Sequence, residues 1–295
     1  MARMVDQAVE AEADGFSSLW YAGAIGGDPL AAMALAGRAT TTLELGTAVL
    51  QTYPCHPVVQ ANRSAAVATA LGRPGFTLGL GPSHQPLIEG VYGLSYANPG
   101  RHTEEYVTIV TALLRGETVD FDGQDYRVHS ATLPAKPDVP VPVLVAALAP
   151  RLLRVAGALA EGTILWMANA RAVESHVGPR IRAAAAAAGR SEPRVVAGLP
   201  VAVHNDIDEA RAAATEQFAL YGTLPNYRRI LDIGAAATPA DAAIVGDEAA
   251  VAKAIRGLFD AGATDVWAAP FPVGQDRRAS RDRTRLVLRD LAAER

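Results

Sequence analysis

Thr42-Leu43-Glu44-Leu45-Gly46-Thr47-Ala48-Val49-Leu50-Gln51 is an apolar run that ends in polar residues, the pattern of a buried strand whose far end looks into a site. A second run, Gly75-Phe76-Thr77-Leu78-Gly79-Leu80-Gly81-Pro82-Ser83-His84, has glycines that thin the strand just before a polar tip. Glycine there admits the close approach of a ligand or of another backbone. Strands buried on both faces and separated by amphipathic helices imply a parallel sheet, and in parallel folds ligands gather at the strands' carboxyl ends. Residues 48–53 and 83–85 are therefore the first places to look for chemistry.

Working outward, helical spacing over residues 4–14 stops at Gly15, a strand is expected over 16–22, and an alanine-rich helix over 29–38 is entered at Pro29. A helix over 57–71 joins the two opening runs. Residues 82–100 form a loop rich in Pro, Gly, Tyr and Asn, too long for a simple connector and so expected to carry function. A helix follows over 101–114, and residues 119–128 alternate around Asp122-Gly123, a hairpin signal. Strands over 142–148, 163–168, 195–203 and 265–271 then alternate with helices over 150–160, 173–188 and 281–293. A mostly helical insertion is expected at about 206–261.

This alternation gives an α/β fold. The strand signals begin near Phe16, Leu43, Phe76, Pro142, Thr163, Val195 and Asp265. A closed (β/α)8 TIM-barrel has eight strands, and only the opening helix has no strand before it. The expectation is one barrel domain over residues 1–295 whose first strand is missing from this chain.

Composition narrows the function. Half of the 295 residues are hydrophobic, which excludes disorder, and a net charge of −4 with a pI near 5.9 offers no basic field for nucleic acid or an anionic membrane. Neither a signal-peptide pattern nor an apolar run of about 18 residues is present, so a cytoplasmic protein with a small-molecule substrate is expected. The single Cys55 rules out an internal disulfide and reads as a small side chain near a pocket, with only the neighbouring His56 available as a base. No metal site is expected.

Several segments together resemble the bacterial luciferase-like superfamily, in its branch that uses the deazaflavin coenzyme F-420. They are the run from Ala11 through Asp14-Gly15-Phe16 to Trp20, Leu45-Gly46-Thr47-Ala48-Val49, Ala61 through Gly72-Arg73 into Phe76 to Gly81, Val119 to Gly123, Ile244-Val245-Gly246-Asp247, and Asp260 to Asp265. Members that begin with a strand before the first helix support the missing-strand reading. The resemblance implies a non-proline cis peptide at Ala48-Val49, where the strand bulges to support the deazaflavin ring. It also implies that Gln51 and Ser83 contact the cofactor, and that Ala149 and Arg151, where a helix begins, face its phosphate or acidic tail. Family dehydrogenases usually carry an Asp-His pair where this chain has Gly23 and Ala24, and a carboxylate where it has His84, which argues against an alcohol dehydrogenase mechanism.

His84 is the candidate catalytic residue, able to pass a proton or hydrogen-bond a ring carbonyl, or else to position coenzyme and loop without exchanging protons. Tyr53 and His56 either line the substrate side or pack the loop. The leading expectation is an oxidoreductase that moves hydride between F-420 and a small organic substrate, acting as a homodimer through the helices over 29–38 and 57–71. An FMN-dependent monooxygenase of the same fold and a non-catalytic flavin-binding barrel are the alternatives. A Schiff-base aldolase ranks last, because no lysine falls at a strand's carboxyl end.

Overall fold

The computed structural model describes residues 2–22, 27–134 and 136–294. Its contacts divide it into two compact units, Met1–Ala147 with Arg154–Thr163, and Leu148–Leu153 with Ile164–Arg295. Gly23 and Ala24, where the Asp-His pair was looked for, lie outside the described residues.

The first unit opens on helix α1 (Ala2–Ala13) and strand β1 (Ser18–Tyr21). Helix α2 (Pro29–Ala39) begins where Asp28 accepts the Leu30 N–H at 3.0 Å and Pro29 presets the first turn. The long apolar run then forms two strands rather than the single one expected: β2 (Glu44–Thr47) and β3 (Leu50–Gln51), parted at Ala48 and Val49. Their entry is fixed from α1. One Glu12 carboxylate oxygen accepts the N–H groups of Thr41, Thr42 and Leu43 at 2.8, 2.6 and 3.0 Å. Those bonds, the one from Thr42 foremost, pull its pKa down to about 2.

Helix α3 (Pro57–Leu71) follows and ends at Gly72, whose left-handed backbone caps the last turn. Strand β4 (Phe76–Gly81) is buried at every residue. It pairs in parallel with β2 and β3, and in parallel with β7 (Val143–Val145). Between β4 and β7 come α4 (Gln85–Gly90), α5 (Pro99–Leu114) and the antiparallel hairpin β5 (Val119–Asp122) with β6 (Arg127–Ala131). The expected Asp122-Gly123 pair begins the turn rather than centring it, since Gly123 N–H bonds the Tyr126 carbonyl at 2.8 Å. The Glu105 carboxylate of α5 fills the turn, accepting N–H groups from Gln124, Asp125 and Tyr126 at 2.8–3.0 Å.

Helix α6 (Pro150–Leu159) and strand β8 (Gly162–Trp166) each contribute residues to both units. In the second unit a short helix α7 (Ala170–Ala172), a π-helical turn (Val173–Val177) and α8 (Gly178–Ala187) precede β9 (Arg194–Val203), the longest strand. The expected insertion holds α9 (Ile207–Phe218), α10 (Pro225–Ile233) and α11 (Pro239–Ala242), followed by a strand that sequence reasoning missed, β10 (Ile244–Gly246), and by α12 (Glu248–Asp260). Strand β11 (Asp265–Pro270) pairs with β9 along its whole length, and an Arg194–Asp265 ion pair joins their starts. Helix α13 (Arg277–Ala293) closes the chain, starting a turn earlier than the charge pattern indicated. All seven expected barrel strands form and their pairings are parallel, the arrangement of a (β/α)8-type barrel. Among the described residues β1 pairs only with β2, and β11 only with β9. None of the described helices is long and apolar enough to cross a membrane.

Candidate functional site

The first unit opens to solvent where β2 gives way to β3. The Thr47 hydroxyl donates to the Gly79 carbonyl at 2.8 Å and accepts the Gly79 N–H at 2.7 Å, which locks the last residue of β2 onto β4. Ala48 N–H bonds the Tyr21 carbonyl of β1 at 2.8 Å. The next peptide bond, Ala48-Val49, is cis, as the resemblance implied. Pairing then resumes at Leu50 and Gln51, and Thr52 N–H bonds the Gly81 carbonyl at 3.0 Å. Leu45, Gly46, Thr47 and Leu50 are buried, but Ala48 and Val49 are half-exposed. Between Leu45 and Leu50 the run therefore presents one accessible step.

Gly79 and Gly81 stand directly behind that step. A Cβ on Gly79 would sit 1.9 Å from the Thr47 carbonyl oxygen, and one on Gly81 2.8 Å from Val49 Cγ2 and 3.0 Å from Ala146 Cβ. What the glycines admit is thus this chain's own backbone and the Val49 side chain, with no room left for a ligand inside the strand.

At the end of β4, Ser83 has a left-handed backbone (φ 63°), and the Tyr96 hydroxyl donates to its carbonyl at 2.7 Å. His84 comes next, half-buried at the start of α4. Burial pushes its imidazole below the ordinary histidine value, so it is neutral at pH 7.

Beside this tip lies a group of rings that the sequence did not reveal. Tyr53 stacks on His102 of α5, with centroids 3.7 Å apart and planes within 8°, and Tyr96 lies 5.3 Å from Tyr53. His102 Nε2 is 3.1 Å from the Thr52 hydroxyl and 3.3 Å from the Tyr126 hydroxyl. Burial forces the His102 pKa down to about 4, against the opposing pull of Asp125 and Glu105. Tyr53 moves the other way, to about 12, chiefly through burial and secondly through Asp125 and Glu89. Both rings are neutral near pH 7. His56 is exposed. Its Nδ1 accepts the Val58 N–H at 3.3 Å, capping α3, while its ring meets Tyr126 edge-on at 5.6 Å.

Ala149 and Arg151 belong to the second unit, in the loop before α6 and on its first turn, half-exposed and exposed respectively. This loop has an anchor of its own. His176, buried on the π-helical turn, donates Nε2–H to the Leu148 carbonyl at 2.9 Å. Burial is the main cause of its lowered pKa.

The luciferase-like monooxygenase family matches residues 1–274, both units included. The chain belongs to that family. An uncharacterized protein of Mycobacterium tuberculosis is 30% identical to this luciferase-like chain over 79% of it and 72% of the relative. An F-420-dependent glucose-6-phosphate dehydrogenase of Kineococcus radiotolerans is 29% identical over 93% and 88%. Among solved structures, an F-420-dependent secondary alcohol dehydrogenase holding an F-420-acetone adduct superposes with a TM-score of 0.78 at 19% identity, over 96% of this chain and 92% of that one. An FMN-bound Baeyer-Villiger monooxygenase component from Pseudomonas putida reaches 0.74 at 18%, over 99% and 92%. These structural likenesses establish the luciferase-like TIM-barrel fold.

Within the first unit, Ala48, Val49, Gln51, Tyr53, Ser83 and His84 all fall at or just beyond the carboxyl ends of β2, β3 and β4. Missed were His102, Tyr96 and Tyr126. A signal existed for one of them: His102 and Glu105 are polar yet share the buried face of α5 with Tyr106, Ile109 and Leu113. Polar residues on a helix's core stripe ask for partners.

Proposed function

We propose that this luciferase-like chain is an oxidoreductase that moves hydride between coenzyme F-420 and a small organic substrate. The observation that carries the reading is the half-exposed Ala48-Val49 step, seated on Gly79 and Gly81 between the buried Leu45, Gly46 and Thr47 on one side and the buried Leu50 on the other. A flat ring needs such a shelf, apolar and braced from behind, and the residues present fit it. The curated relative named for F-420 supports the choice of deazaflavin.

When bound, F-420 supplies a two-electron hydride donor or acceptor. The protein supplies the rest. Val49 supports one face of the ring, and Gln51 and Ser83 contact it. His84 offers an N–H to its polar edge; the lowered pKa favours that hydrogen bond over proton delivery by an imidazolium at pH 7. Tyr53 and His56 line the substrate side. In the second unit, Ala149 and Arg151 are assigned to phosphate or to an acidic tail, where the first amides of α6 favour an anion. A homodimer through α2 and α3 belongs to the same proposal, and the exposed Leu35 and Val59 on those helices support it.

Titration of the purified protein with F-420 and with FMN, followed by ring absorbance or fluorescence, tests the cofactor. Saturable binding of F-420 alone is expected. Binding of FMN alone would move the chain to the monooxygenase reading, and binding of neither would overturn the cofactor assignment. Replacing Arg151 by Ala should weaken F-420 binding about tenfold at low salt. Unchanged affinity would move the tail to another loop.

A further inference from the structure

Cys55 serves none of the roles above, yet it is set among donors. Half-buried in the loop between β3 and α3, its Sγ donates to the His56 carbonyl at 3.7 Å and accepts from Arg63 Nη1 at 3.9 Å. Arg63 is itself held in place by an ion pair with Asp28. Tyr106 of α5 is fully buried and turns its hydroxyl toward the same sulfur, and that hydroxyl makes no hydrogen bond of ordinary length and angle. A buried O–H without an acceptor costs about 1–3 kcal/mol, and such groups are rare enough to ask for a reason. Thiol sulfur is a weak acceptor, whereas an oxygen carried on that sulfur is a good one.

We propose that Cys55 is a modification site, a thiol oxidised by hydrogen peroxide to a sulfenic acid that Arg63 and Tyr106 cradle. The Cys55 proton goes to solvent and the thiolate sulfur attacks one peroxide oxygen. The S–O bond forms as the O–O bond breaks, and hydroxide leaves and is protonated to water. Sulfur loses two electrons and the peroxide gains them. The Arg63 guanidinium faces the negative charge of the attacking thiolate, and the Tyr106 hydroxyl then donates to the new oxygen. Because the chain has one cysteine, no second thiol within it traps the product. Reduction falls to a small external thiol, through a mixed disulfide.

The full-length protein treated with hydrogen peroxide in the presence of dimedone, then digested for mass spectrometry, tests this. A dimedone adduct is expected on the peptide containing residue 55 and on no peptide of Cys55→Ser. Arg63→Gln should slow adduct formation about tenfold. Tyr106→Phe, which removes a buried hydroxyl that has no good acceptor and should not lower the unfolding midpoint, should let the sulfenic acid pass several-fold faster to sulfinic acid. The proposal is overturned if the folded protein gives no adduct, or if wild type and Arg63→Gln both react at the rate of free cysteine.

Discussion

Strands β4 and β11 are both apolar and each has six residues, yet β4 is buried throughout while β11 has no buried residue. Strand β4 has partners on both edges, β2 and β3 on one and β7 on the other, whereas β11 has β9 alone among the described residues. Burial thus follows from neighbours rather than from the strand's own hydrophobicity. The contrast also locates the chemistry. The sealed strand has room at one point for a neighbour's backbone and a valine, and there a braced step comes to the surface.

The sharpest way to break this contrast is Gly79→Ala. Its new methyl would meet the Thr47 carbonyl, a backbone atom with no rotamer to escape into. A loss of about 3 kcal/mol or more is expected in denaturant unfolding. Near-wild-type stability would mean that β4 is looser than its burial indicates.

Next comes His102, which ties Thr52 just beyond the end of β3. Its folded pKa of about 4 lies below the unfolded value near 6.5, so the unfolded chain binds the extra proton first as pH drops. The stability contributed by the neutral ring is therefore whole above pH 6.5 and is lost between there and pH 4, by roughly 3 kcal/mol. Because His84 and His176 are lowered in the same direction, the difference between wild type and His102→Gln isolates it. Parallel melting curves across that window would show that His102 titrates as if exposed.

A somewhat smaller effect is expected at the tip of β4. His84→Ala should cut F-420-dependent turnover about 10²-fold, close to 2.7 kcal/mol, with little change in cofactor binding. Wild-type turnover should be flat above pH 7 and fall in acid, as the neutral ring charges. A rate that climbs in acid would restore the imidazolium as proton donor, and unchanged turnover in the variant would make the residue structural.

Smallest of all is β11, where Ala268→Ser on the half-exposed strand should shift stability by no more than about 0.5 kcal/mol. A penalty as large as that of Gly79→Ala would show that this strand is covered in solution.

Much of this was legible in the residues. Proline at the first turn set the starts of α2 and α3, Gly72 set the end of α3, and apolar runs marked each barrel strand. The split of residues 42–51 was not legible from hydrophobic pattern alone, because the pattern does not change at Ala48, and only the family resemblance pointed there. Strand β10 was lost because three residues carry too little periodicity to read. The ring group of Tyr53, Tyr96, His102 and Tyr126 was invisible for a different reason. It draws on two loops, a helix and a hairpin, and only tertiary packing brings their rings together.

Glu12 gives the entry to β2 a property of its own. One carboxylate gathers three consecutive amides, so their hydrogens should exchange with solvent as a set rather than one by one. Glutamine replaces it poorly: a neutral amide oxygen is a weaker acceptor than a carboxylate oxygen, and its NH2 would face the Thr41 N–H that the second carboxylate oxygen accepts at 3.1 Å. In a deuterium-labelling experiment Glu12→Gln should therefore unmask Thr41, Thr42 and Leu43 together, so that one side chain of the first helix sets the exchange of the three amides that lead into β2.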